Sequence, residues 1–114
     1  MTTTNGRIKW LEMHRQLSEE AEYTKNSQMV PFGLLNAYDE LSAVEKMEIF
    51  TILADWLVSE DNKLRYDAAF LISQRKIVEM ASAVKNAIER TDESSGPEAK
   101  HELKKLLRIF EELT

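Results

Sequence analysis

Apolar residues recur along this chain at intervals of three and four, and no β-branched run alternates with polar positions, so the pattern predicts helices throughout. The first helix is expected over residues 7–25, with Trp10, Met13, Leu17 and Ala21 as its stripe and Ile8 and Leu11 widening it. Lys25-Asn26-Ser27-Gln28 ends it. Pro31 suits the first turn of a shorter second helix, where its missing N–H does no harm, and that helix presents Leu34, Leu35, Tyr38 and Leu41. Ser42-Ala43-Val44-Glu45 reads as a capping box opening a third helix: Ser42 accepts from the backbone three residues on, and Glu45 reaches back. This helix shows Val44, Met47, Phe50, Leu53, Ala54 and Leu57 on one side and Ile49, Ile52 and Trp56 on another. So broad an arc predicts contact with two layers. A fourth helix over residues 62–74 shows Leu64, Ala68, Leu71 and Ile72, and a fifth, starting at Ile77, shows Met80, Ala81, Val84 and Ile88. Thr91-Asp92-Glu93-Ser94-Ser95-Gly96-Pro97 is the clearest loop. The last helix starts near Glu98 with Ala99, Leu103, Leu106, Leu107, Phe110 and Leu113 as its stripe.

Residues 57–90 carry an ordered set of signals. A helix ends at the acidic turn Ser59-Glu60-Asp61-Asn62, the next opens with Leu64-Arg65 and the small pair Ala68-Ala69, and a polar break at Gln74-Arg75-Lys76 precedes Ile77. This order resembles a HEAT-type helical repeat: turn Asp, then Leu-Arg, then Ala-Ala and an aliphatic pair, then a short turn. Asp61 and Gly96 fall at matching turns 35 positions apart, near the short end of helical-repeat periods of roughly 33–47 residues. The second copy is degenerate, because nothing in residues 98–103 repeats Leu64-Arg65 followed by Ala-Ala. The resemblance implies an all-α chain of about six helices stacked as antiparallel hairpins in a short HEAT-like α-solenoid. Residues 1–114 would form a single helical domain, with residues 1–41 as N-terminal capping helices and HEAT-like hairpins at 42–75 and 76–114. It also implies that Arg65 pairs with the turn residue Asp61. The alternative is an irregular helical bundle.

Composition narrows the class. A chain of 114 residues with 43% hydrophobic content is long enough for one core, and the absence of cysteine removes disulfides and thiolate metal sites. Cysteine-free composition fits a reducing cytoplasm. The opening residues Met1 to Gly6 lack the basic and apolar regions of a secretory signal, and no apolar run approaches the ~18 residues of a membrane span. The expectation is a cytoplasmic protein with no membrane contact. Charge is uneven: residues 1–62 carry 5 Lys/Arg against 11 Asp/Glu, while residues 63–114 carry 10 against 9. An acidic half argues against nucleic acid, whose phosphates need clustered cations, and is compatible with steering a basic protein partner. Ordinary solubility charge is the alternative.

Signals for catalysis are thin. His14 and His101 stand in separate terminal helices without a local partner at metal or triad spacing, and no Gly-rich phosphate loop is present. Glu19-Glu20-Ala21-Glu22 and Glu60-Asp61 lack EF-hand spacing and read as a solvated helix face and an acidic turn. No enzyme, metal or cofactor is expected. A helical metal-dependent hydrolase is disfavoured for want of ligands. Lys100, Lys104 and Arg108 form a ridge on the last helix among Glu98, Glu102, Glu111 and Glu112, which reads as a salt-bridged surface. Tyr66 and Phe70, four apart, are either a second packing face or an aromatic anchor. In size, charge and HEAT-like hairpins the chain also looks like the small acidic bacterial immunity proteins. That resemblance implies a monomeric, non-enzymatic protein that neutralises a basic toxin, such as a nuclease, by charge and shape. Asp55, Glu60, Asp61 and Asp67 are the contact candidates, with Tyr66 as the aromatic anchor. The competing reading is a HEAT-like adaptor or structural subunit, which would expose an apolar patch instead.

Overall fold

A computed structural model describes residues 6–114, so all but the last residue of the opening segment Met1 to Gly6 lies outside the described residues. Six α-helices follow one another: α1 Gly6–Thr24, α2 Met29–Glu40, α3 Ala43–Leu57, α4 Asn62–Arg75, α5 Ala81–Arg90 and α6 Pro97–Leu113. Short 3-10 turns occupy Val78–Met80 and Glu93–Ser95, and no strand occurs among the described residues. The all-α class and the six helices expected from periodicity are therefore present.

Local chemistry sets the boundaries. The capping box at α3 is complete: Glu45 N–H donates to Ser42 Oγ at 3.1 Å, and Ser42 N–H donates to the Glu45 carboxylate at 2.9 Å. Asp61 caps α4 by accepting from Lys63 N–H at 2.8 Å. Gly96, at φ 138°, adopts a backbone that L side chains resist, and Pro97 then opens α6. Two helices end on lysine instead of glycine. Lys25 (φ 60°) and Lys76 (φ 45°) are left-handed, and the next N–H in each case reaches back five residues, Asn26 to Ala21 and Ile77 to Ile72. The exit from α4 through Lys76 explains one departure from the predicted boundaries. Ile77 does not begin the fifth helix, because the chain first makes the 3-10 turn and enters α5 at Ala81.

The described chain divides into two compact units, the first reaching to Leu53 and the second spanning Ala54–Thr114, so the division falls inside α3. In the first unit α1 and α2 pack as a close pair. Gly33 makes this possible, since a Cβ there would meet the Leu17 side chain at 2.7 Å. Gly6 likewise lets α1 touch the first turn of α3, with the Glu45 Cα only 3.1 Å from where a Cβ would stand. Trp10, Leu34, Leu35, Tyr38, Leu41, Ile49, Ile52 and Leu53 are buried. Ile8 and Leu11, expected to widen the α1 stripe, face solvent, as do Val44 and Met47 of α3. Burial on α3 follows the Ile49, Ile52 and Leu53 side, so its first two turns lack the two-sided cover its composition predicted.

In the second unit α5 and α6 pack closely, joined by the turn at residues 91–96, and α4 also packs on α6. Side-chain links climb α4 and α6 in the same order: Arg65 to Glu102, Tyr66 to Lys105, Ser73 to Glu112. The two helices therefore run parallel. Ala68 and Ala69 are buried, consistent with a close helix crossing. Leu106, Ile109 and Leu113 are the buried face of α6. Leu107, counted in its predicted stripe, is exposed, and Ile109 takes its place.

Candidate partner-binding surface

The acidic turn between α3 and α4 is built from its own backbone demands. Ser59 Oγ accepts from Asp61 N–H at 3.1 Å, and the Asp61 carboxylate turns onto the α4 N-terminus, where aligned N–H groups favour negative charge. Asp55, Glu60 and Asp61 are all exposed. They place three carboxylates on the last turns of α3 and the loop that follows.

Arg65 holds this turn from behind. Its Nη1 donates to the Ser59 carbonyl at 2.7 Å, while Nε and Nη2 donate to both oxygens of Glu102 at 3.2 and 3.1 Å. The expected pairing of Arg65 with Asp61 is therefore replaced. Asp61 is committed to the helix cap, and the planar guanidinium fork finds a matching carboxylate on α6. Glu102 lies 37 positions after Arg65, close to the 35-residue offset between the two turns, and that offset was the signal that could have found it.

Tyr66 is 42% exposed, and its ring stacks on Phe70 with centroids 5.9 Å apart and planes 11° from parallel. Lys105 places its ammonium 4.3 Å from the Tyr66 ring centroid, an attraction of about 0.5–2 kcal/mol. Partial burial, with Arg108 nearby, holds the Lys105 ammonium below its ordinary pKa, and Glu102 opposes the shift. The sequence singled out the ridge beside Lys105 and passed over Lys105 itself. On that ridge, Arg108 reaches Glu112 only loosely, at 3.9 Å.

Asp67 does not join the surface. It is 6% exposed and engaged within the chain, so it presents no carboxylate to a partner in this fold. The reason was legible in the spacing. Asp67 follows Leu64 by three and precedes Leu71 by four, which places it on the apolar stripe. Of the five contact candidates, Asp55, Glu60, Asp61 and Tyr66 are accessible and Asp67 is not.

The remaining candidates are local. His14 is half-buried in α1, and His101 is exposed at a shallow cleft lined by Asn62, Pro97, Glu98 and Glu102. On α1, Arg15 bonds both Glu12 and Glu19, which lowers the Glu12 carboxyl below its usual range through the Arg15 hydrogen bond. Among the described residues, no group of three or more His, Cys, Asp or Glu side chains converges as a metal site. No described helix is long and apolar enough to cross a membrane. Compared with known proteins, the chain matches no family model, no curated protein sequence and no solved structure.

Proposed function

We propose that this chain is a non-enzymatic protein-binding domain of the immunity type, which covers and neutralises a basic toxin, such as a nuclease, in the bacterial cytoplasm. The observation that carries the reading is exposed Asp55 near the end of α3 with the exposed acidic turn Glu60 and Asp61, backed by the Arg65–Glu102 clamp and followed one turn later by the half-exposed ring of Tyr66. Exposed carboxylates beside an aromatic side chain are a usable anchor for a basic surface, because electrostatic attraction speeds encounter and a planar ring fixes it. The parallel placement of α4 and α6, bridged by Arg65 and Glu102, supports the HEAT-like part of the reading. The protein acts as a monomer without cofactor or metal.

A second reading has its own support. Ile8, Leu11, Phe32, Val44 and Met47 stand exposed in the first unit, which favours a HEAT-like adaptor docking through apolar contact. One experiment separates the two. The partner is captured from the native host and tested for toxicity alone and for rescue on co-expression. Association rates are then measured across salt concentrations with the native chain and Glu60→Lys. The immunity reading expects a toxic partner whose association slows with salt and slows again in Glu60→Lys, with folding unchanged. A harmless partner, or association indifferent to salt and to the reversal, leaves the adaptor.

A further inference from the structure

The half-buried cation at the α4–α6 seam stands apart from the acidic turn and has the opposite sign. Lys105 lies over Tyr66, with Arg108 one turn further along α6 adding positive charge. The nearest acidic influence, Glu102, has both carboxylate oxygens occupied by Arg65. Among the described residues no carboxylate lies within ion-pair distance of the Lys105 ammonium. In a chain of net charge −5, this is a small, partly desolvated positive spot beside an accessible aromatic ring. Burial makes an incoming anion worth more there than at a fully solvated lysine, because the ammonium has already lost part of its water.

We propose that the seam at Tyr66, Lys105 and Arg108 is a docking point for an acidic segment of a partner protein, whose carboxylate pairs with the Lys105 ammonium while an adjacent apolar side chain covers the edge of Tyr66. Charge complementarity picks the acidic occupant, and the Tyr66–Phe70 stack picks one carrying an apolar group next to its carboxylate. The inference goes beyond the basic-partner reading: it shares Tyr66 with that reading, but its charge comes from Lys105 and Arg108 and has the opposite sign. A partner engaging both spots would be fixed in orientation, with a basic element on the acidic turn and an acidic one on the seam.

The test uses the full chain and a short acetylated peptide of glutamates around a single phenylalanine, with its lysine counterpart as control. Side-chain NMR follows the Lys105 ε-methylene, the Arg108 guanidinium and the Tyr66 ring. The glutamate peptide is expected to shift all three saturably and the lysine peptide to leave them. Lys105→Met should bind about tenfold more weakly, as for the loss of one charge-assisted contact, while Lys85→Met, an exposed lysine on α5, should bind as the native chain does. The native titration carries the test even if Lys105→Met fails to fold. Shifts spread over many lysines, binding undiminished in folded Lys105→Met, or equal shifts from inorganic phosphate at the same concentration would each overturn the proposal, the last by making the seam a site for small anions only.

Discussion

Arg65 and Glu102 provide the most direct quantitative test of how the second unit is held together. The guanidinium makes two parallel bonds to the carboxylate and a third to the Ser59 carbonyl, with 29% of the Arg65 side chain and 36% of the Glu102 side chain exposed. Fully exposed ion pairs contribute about 0.2–1 kcal/mol, and well-made bonds to charged groups about 1.5–3 kcal/mol. A bidentate pair one-third exposed falls between these, so a coupling of about 1–1.5 kcal/mol is expected from the double-mutant cycle of Arg65→Met, Glu102→Gln and both together. Arg65→Met alone should lose roughly 2 kcal/mol, because it also abandons the Ser59 carbonyl. Urea unfolding at fixed pH measures each corner of the cycle. Repeating it in ~1 M salt, where the Debye length falls to ~3 Å, should trim the coupling without abolishing it, since the bonds are in contact. A parallel cycle with Asp61→Asn isolates the competing arrangement. Coupling below ~0.3 kcal/mol between Arg65 and Glu102, or a larger coupling between Arg65 and Asp61, would refute the clamp and restore the pairing that the repeat resemblance implied.

Ala68 has no exposed surface, so Ala68→Leu must displace neighbours and is expected to lower stability by about 1–3 kcal/mol in thermal or urea unfolding; an unchanged midpoint would place this face of α4 in solvent. The Glu45 carboxyl is held below its usual range, first by the Ser42 backbone N–H and then by Lys9. A lowered folded-state pKa contributes stability above the unfolded carboxylate pKa of about 4.3 and loses it as pH falls through the folded value. Glu45→Gln should therefore flatten the acid limb of the stability profile below about pH 4, and an identical acid limb in the variant would contradict the assignment.

The features that could be read from sequence are those whose causes are local. The α3 capping box needs only four consecutive residues, and the turn before α6 needs only Gly96 and Pro97. Burial is different, because periodicity identifies an apolar face and not whether another element covers it. Ile8, Leu11, Val44 and Met47 keep helical spacing and still face solvent. The site divides the same way. The acidic turn and Tyr66 were visible as composition beside a helix start, whereas Glu102 and Lys105 gain their roles only through partners on α4, more than thirty-five residues away in the chain. At Asp67 helical spacing outweighs charge. Its place on the stripe decided its burial, and its carboxylate did not prevent it.

The parallel course of α4 and α6 has a consequence for when the seam exists. Two parallel neighbours cannot be joined by a short turn, so α5 must first carry the chain back, and the Arg65–Glu102 bond closes a loop of 37 residues. The α5–α6 pair is local in sequence and needs no such closure. Tyr66, Lys105, Arg65 and Glu102 are thus brought together only when the whole second unit is assembled. Any molecule that grips this seam binds the finished unit and not its fragments. Its binding free energy is added to the folding of every helix from α4 to α6, so at a concentration 100 times its Kd it would stabilise the unit by about 2.7 kcal/mol without touching the buried core.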